Sequence, residues 1–374
     1  MDLIKESVMK TKAAVLYQPQ NPLVIEEVDL DDPKQEEVLV KIQAAGICRS
    51  DWHFMSGESS ISLPAVLGHE GAGIVERVGP GVTRIQPGDT VIFSFVSSCG
   101  KCYFCSTNRP SICDLHMSTS SSMLDGTHRL HINGQPITPM GKVACFSQYS
   151  VVPEIACIPY ESKVSPMVAA LIGCSVTTGV CSVSNAARVE SGSSVAIIGC
   201  GGVGINIIQG AKIAGATKII AVDINNDALE FCAQFGATHT INASIENVKT
   251  RISELTGGLG PDYSFESYGS AETVELACEI VRKGGVVTVV GIAPNDERPT
   301  IDPVALVRQE KTIKGTYYGS SNVHINIPQI VDKYLNSELN IDSLITRTYS
   351  LDDINIAFQD LNSGLVGRGV VIEF

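Results

Sequence analysis

A chain of 374 residues is too long for one ordinary hydrophobic core, so two domains are expected. Its 44% hydrophobic and 18% charged residues exclude a disordered protein. A formal net charge of −13 argues against nucleic acid or an anionic membrane as partner, because both are held by Lys and Arg.

The opening MDLIKESVMKTK scatters its charges and has no apolar run, so no secretory signal is expected, and a cytoplasmic protein is. The first third carries short strand patterns, EEVLVKIQAAG (36–46) and AGIVERVG (72–79), broken by SGESS, GPGV and QPGD. That turn-rich pattern predicts an antiparallel barrel or curled sheet. MVAALIGCSVTTGVCSV (167–183) is apolar for nearly the length of a thin membrane span. Its Ser, Thr and Cys content, and Pro166 before it, favour a buried helix.

From residue 194 onward strands alternate with helices. The strands are predicted at 194–199, 218–224, 238–242, 262–267, 284–292 and 311–318. Helices are predicted at 226–237 and from Ser270, as cap, to Gly284. The alternation predicts βαβ units and a doubly wound parallel sheet. The end of the chain adds a helix, NIPQIVDKYLNS (326–337), and a last strand, GVVIEF (369–374).

GCGGVG (199–204) places Gly199, Gly201 and Gly204 in the G-x-G-x-x-G positions, with Gly202 and Val203 between them. It follows an apolar strand and opens a helix, and Asp223 ends the next strand. The first glycine allows the tight turn, the second a close approach of the pyrophosphate, and the third helix–strand packing. Asp223 is expected to accept hydrogen bonds from the adenosine ribose and to repel a 2′-phosphate, which favours NAD over NADP.

Cys99, Cys102, Cys105 and Cys113 form a C-x2-C-x2-C-x7-C run. Twelve cysteines without a secretory signal point to metal before disulfides. Four thiolates suit a closed tetrahedral zinc. An iron–sulfur cluster is the rival, although the x7 gap and Asp114 after Cys113 depart from the ferredoxin run. Disulfides or free thiols are the third reading. Cys48, His69 and Cys174 have the composition of a catalytic zinc site with one open position. Spacing alone does not assemble them. A lone cysteine is more often a small buried hydrophobe, and a lone histidine a satisfied core residue.

Together GICRSDWH, GHEGAGIVERVG, the four-cysteine run, CSVTTG, GCGGVG with Asp223, and GRGVVIEF occur in an order and spacing that resembles the zinc-containing alcohol dehydrogenases of the medium-chain dehydrogenase/reductase family. The resemblance covers essentially the whole chain. It implies a GroES-like catalytic domain (1–178 and 319–374, with a zinc lobe at 97–114) and an NAD-binding Rossmann domain (179–318). It implies two zinc ions per subunit: a catalytic one on Cys48, His69 and Cys174, and a structural one on the four-cysteine lobe. Asp51 and Glu70 then support the catalytic ligands. Ser50 accepts the substrate proton, and His53 is the outer end of the relay, reached through the cofactor ribose. Arg49 and Arg368 face the pyrophosphate, and Thr178 and Val203 press on the nicotinamide, with Ile292 beside it.

The implied reaction is reversible hydride transfer from an alcohol to NAD, giving the aldehyde. The long segment after Cys113, with DGTHR and FSQY, resembles the dimeric alcohol dehydrogenases and the glutathione-dependent formaldehyde dehydrogenases. The latter class carries an arginine where Met117 stands, and Ser59 and Ser60 stand in place of its acidic substrate contacts. A primary aliphatic or aromatic alcohol is therefore preferred over S-(hydroxymethyl)glutathione. Phe95, Trp52, Met140 and Ile292 are the pocket candidates. A homodimer is expected through the strand at 311–318. A non-catalytic NAD-binding structural protein is the alternative from another functional class.

Overall fold

The computed structural model describes residues 8–374. They form two compact units. The first runs up to Cys174 and takes back Asn322–Asn336 and Ile341–Phe374. The second is Ser175–Ser321 with the short return Ser337–Asn340.

The first unit is mainly β. Met9–Leu16, Val24–Leu30, Leu130–Ile132, Gln135–Pro139 and Ala65–Val66 close into a small barrel. A second, mixed sheet orders Cys157–Pro159, Thr90–Phe93, Glu70–Val78, Glu37–Gly46, Arg368–Glu373 and Ile345–Ser350, and Tyr149–Pro153 also pairs with Glu37–Gly46. The pairing of Glu37–Gly46 with Glu70–Val78 is long, running from Val38 opposite Val78 to Gly46 opposite Glu70. It sets Glu70 beside Gly46, two residues from Cys48. Gly46 is required there, because a Cβ would stand 2.4 Å from a Glu70 carboxylate oxygen. Two apolar clusters fill this unit, one around Phe93, Phe146 and Phe358, the other around Val28, Leu30 and Met123.

The second unit holds a six-stranded parallel sheet. Its spatial order is His239–Asn242, Lys218–Asp223, Ser194–Ile198, Tyr263–Glu266, Val286–Val289 and Thr312–Gly315. In chain order that is 3-2-1-4-5-6, the doubly wound dinucleotide-binding arrangement. All six predicted strands are present, each shorter at one or both ends. The helix expected from Ser270 to Gly284 ends earlier: it is Ala271–Ile280, capped by Ser270 and Thr273. Val281 turns extended, and Arg282 is held by the Pro261 carbonyl and the Asp262 carboxylate. Gly284, at φ +69°, serves the turn into the next strand rather than the helix end.

The apolar stretch after Pro166 is helical over Pro166–Ala187 and almost wholly buried within the protein. Ser165 caps it by accepting the Val168 N–H at 3.3 Å. The helix loosens to wider π-type turns at Ile172–Val176 and Ser182–Ala187. The first of these turns carries Cys174.

Candidate active site and metal centres

Three separate backbone features deliver the first cluster. Cys48 is the extended residue just before the helix Arg49–Ser56. His69 leads into the strand Glu70–Val78, behind Gly68 at φ +89°. A side chain at Gly68 would also strike the Phe146 backbone nitrogen, at 2.6 Å. Cys174 sits in the π-type turn. The ligand atoms of Cys48, His69, Glu70 and Cys174 all lie within 4.8 Å of one another, and all four residues are buried. His69 Nε2 and Cys174 Sγ are 3.4 Å apart.

The surroundings orient this cluster. Asp51 is fully buried; one of its carboxylate oxygens meets His69 Nδ1 at 3.1 Å and accepts the Gly68 N–H at 2.9 Å. That leaves Nε2 turned to the sulfurs, the arrangement by which a carboxylate fixes a ligand histidine. Arg368 donates to Glu70 at 2.7 Å and to the Ile47 carbonyl at 2.7 Å. The edge of Phe95 packs against the His69 ring, with centroids 5.3 Å apart at 87°.

Electrostatics set the two sulfurs apart: the Cys174 thiol is pushed well above its ordinary pKa, first by its hydrogen bond with Cys48 and then by burial. The Cys48 thiol is held well below its ordinary pKa, first by a hydrogen bond with Cys174 and then by the nearby His69 and Arg368. Burial alone lowers the His69 pKa, but Asp51 and Cys48 outweigh it and hold the imidazole well above its usual value. Burial raises Glu70 to about 7 against the pull of Arg368. Among the described residues, the buried oxygens Oδ2 of Asp51 and Oε1 of Glu70 have no hydrogen-bond partner. Two soft cysteine sulfurs, one imidazole and a hard carboxylate in reserve are a donor set that suits zinc.

The second cluster is the lobe. The sulfurs of Cys99, Cys102, Cys105 and Cys113 lie within 4.8 Å of one another. Cys102 Sγ is 3.5 Å from that of Cys105 and 3.9 Å from that of Cys113. Four sulfurs around one zinc at about 2.3 Å lie about 3.8 Å apart, so these distances match the edges of one tetrahedron. All cysteines of the lobe are free thiols, which removes the disulfide reading. A multi-iron cluster would spread its thiolates over separate irons; sulfurs this close fit a single ion. Backbone N–H groups of Cys99 and Cys102 point at the sulfurs of Cys113 and Cys99, as thiolate ligands require. A hydrogen bond from the Cys105 backbone is the largest influence on Cys102, which is lowered to about 6.

The glycine loop lies in the second unit. Gly199 takes φ +94°, and Gly201 caps the helix Gly202–Ile213. A Cβ on Gly204 would stand 1.9 Å from the Gly199 carbonyl, whereas one on Gly201 would meet nothing within 4 Å. The third glycine is thus closed by the protein itself, and the second opens onto a cradle at a helix N-terminus, which fits a pyrophosphate. Asp223 accepts the N–H of Cys200 at 2.8 Å and of Asn225 at 2.9 Å, and each oxygen retains a lone pair for a ribose hydroxyl. The helix Thr177–Cys181 presses on the glycine-loop helix: a side chain at Gly179 would meet the Val203 carbonyl at 2.7 Å.

Comparison with known proteins agrees with this architecture. Residues 34–162 match the family described as the alcohol dehydrogenase GroES-like domain, and residues 202–335 the family described as zinc-binding dehydrogenase. The chain is 38% identical over 369 residues to an NDMA-dependent alcohol dehydrogenase of Amycolatopsis methanolica, covering 97% of this chain and 99% of that one. This chain belongs to the zinc-binding alcohol dehydrogenase family. The dehydrogenase is also 39% identical over 375 residues to an S-(hydroxymethyl)glutathione dehydrogenase of Paracoccus denitrificans, with 97% and 100% coverage. Among solved structures, benzyl alcohol dehydrogenase from Acinetobacter calcoaceticus superposes with a TM-score of 0.93 at 31% identity, over 98% of this chain and 100% of that one.

Other expected site residues of the dehydrogenase take these places. Ser50 lies in the first turn of the helix after Cys48, half-buried. His53, on the same helix, pairs through Nδ1 with Glu58, a partner the sequence reading missed. Arg49 donates to Asn362 at 2.9 Å. Arg368 is buried, and within its own unit the anion it meets is Glu70. Met140 is buried in the large apolar cluster, with Phe95 and Trp52 packed against it. Trp52 stacks obliquely on Phe358, with centroids 6.4 Å apart. Ile292 is half exposed, in the second unit.

A buried ion-pair network also escaped the sequence reading. Arg129 of DGTHR grips Glu37 with two bonds, at 2.7 and 2.6 Å, and Asp125 with a third at 2.7 Å. Ninety-two residues separate Arg129 from Glu37, and no local signal joins them.

Proposed function

We propose that this dehydrogenase oxidises primary aliphatic or aromatic alcohols to aldehydes, reversibly, with zinc and NAD. The observation that carries the reading is the convergence of buried Cys48, His69 and Cys174 on one point, with Asp51 behind the histidine. Cys48, His69 and Cys174 would hold the catalytic zinc, and the glycine loop with Asp223 would hold NAD. Zinc in that position supplies the Lewis acidity that makes an alcohol acidic near neutral pH, and NAD supplies the hydride acceptor.

The chain's own groups do the rest. Ser50 takes the substrate proton, and His53, backed by Glu58, hands it outward. Asp51 holds His69 in one tautomer. Arg368, 2.7 Å from Glu70, balances its charge. Phe95, packed against His69 and on the apolar cluster, would offer an alkyl or aryl group an uncharged wall. Asp223 favours NAD over its phosphorylated form.

Oxidation of a glutathione adduct of formaldehyde is the second reading, favoured by the Paracoccus relative. Met117, 57% exposed where a carboxylate-binding arginine would be needed, weighs against it. The free thiols support a cytoplasmic location. The strand Thr312–Gly315 ends the parallel sheet, so we place the homodimer contact on that edge. One assay separates the readings: NADH formation from a panel of alcohols, and from formaldehyde with glutathione, each with and without NDMA. Primary alcohols should reduce NAD without either additive. Turnover confined to the glutathione adduct, or absent unless NDMA is supplied, would overturn the reading.

A further inference from the structure

Lys142 stands outside the chemistry above, yet its position is unusual. The residue is fully buried. Its backbone lies in the left-handed region, at φ +64°, directly after Gly141 at φ +60°. Glycine would adopt that conformation without the strain a lysine carries there. Its ammonium donates to the His116 carbonyl at 3.2 Å. Among the described residues no carboxylate lies within ion-pair distance of it. A buried ammonium without an anion is strongly disfavoured.

That carbonyl belongs to the four-cysteine lobe. His116 belongs to the one-turn helix Asp114–Ser118, which starts directly after Cys113. The Cys113 thiol acts electrostatically on Lys142 and partly opposes the burial that lowers its pKa to about 8. Lys142 therefore stays cationic at neutral pH. His116 cannot share that role. Its Nδ1 accepts the Ser97 N–H at 3.2 Å, and burial together with Lys142 lowers its pKa to about 3, so the ring is neutral. Four thiolates around a divalent ion leave two negative charges.

We propose that Lys142 is the buried counter-charge of the four-cysteine metal centre, and that it acts by retaining the metal there. The inference rests on the reading that the lobe holds zinc. Neutralising Lys142 leaves a doubly negative centre without that counter-charge, which favours metal loss with protonation of the thiolates. Metal loss in turn strands the ammonium. Lobe order and metal occupancy are thus coupled through one side chain.

The test uses the full chain loaded with zinc. Metal content is measured first, then release to a chromogenic chelator is followed in wild type and in Lys142→Met. Two metals per chain and two release phases are expected, one for each cluster. The lobe phase should quicken by about tenfold or more in the variant, the range seen when groups around metal ligands are removed. The Cys174 phase should stay unchanged. Lys142→Gly is the second variant: it removes the charge and relaxes the left-handed backbone, and the same acceleration is expected. Wild-type release from the lobe in whichever neutral variant folds would overturn the proposal. A wild-type chain that carries a single metal would instead overturn the reading of the lobe on which it rests.

Discussion

The two glycines of the dinucleotide loop should fail in opposite ways. At Gly201 an added methyl meets nothing within 4 Å, and φ −77° with ψ −168° is open to any residue. Gly201→Ala should therefore change stability by no more than about 0.5 kcal/mol, as for an unconstrained surface site. The methyl would project into the cradle at the N-terminus of Gly202–Ile213 and push the pyrophosphate off the backbone N–H groups. Losing one charge-assisted hydrogen bond costs about 1.5–3 kcal/mol, so NAD affinity should fall by roughly tenfold to a hundredfold. At Gly204 the methyl would stand 1.9 Å from the Gly199 carbonyl, a contact that only backbone movement relieves. Gly204→Ala should destabilise by at least about 1–3 kcal/mol, the usual range for overpacking. Thermal unfolding measures the first quantity and calorimetric titration with NAD the second. An unchanged NAD affinity in Gly201→Ala, or equal stability loss in both variants, would refute the assignment of the cradle.

Other perturbations have equally definite outcomes. Arg129→Met strips the buried Glu37 of its partner and should destabilise by about 3–5 kcal/mol, read by denaturant unfolding. Asp125 is pushed up by burial but held at about 2 by Arg129 and Thr127. Its depressed value means that its stabilisation is complete above about pH 4 and is lost as pH falls towards 2; Asp125→Asn should remove that part of the acid transition. Asp223→Ala should raise the efficiency with NADP relative to NAD, and should also lower stability through the unpaired N–H groups of Cys200 and Asn225. Asp51→Asn should lower zinc affinity at the Cys174 cluster by about 10–100-fold, measured by chelator competition, while leaving the lobe metal in place.

What could be read from the sequence follows contact distance along the chain. The glycine loop and Asp223 lie within 25 positions, and each step from Gly199 to Asp223 has a local physical reason, so both the parallel sheet and its ligand loop were legible. The lobe was legible for the same reason: its four sulfurs come from 15 consecutive residues. Cys48, His69 and Cys174 are different. Their convergence depends on the pairing of Gly46 with Glu70 and on a π-type turn at Ile172–Val176, and neither leaves a pattern in the sequence. Family resemblance, not spacing, brought them together. The Glu70–Arg368 pair spans 298 positions and was equally hidden. Lys142 was invisible for another reason: nothing in MGKVAC marks a lysine as buried, and only the closed left-handed turn shows it.

Cys48, His69 and Cys174 are proposed to form the catalytic metal centre. Cys174→Ala tests it most directly, with zinc content, NAD binding and alcohol-dependent NADH formation measured on one preparation. Zinc should fall from two ions per chain to one, NAD binding should persist, and NADH formation should vanish. A variant that keeps both zinc ions, or still turns over primary alcohols at a comparable rate, would contradict it.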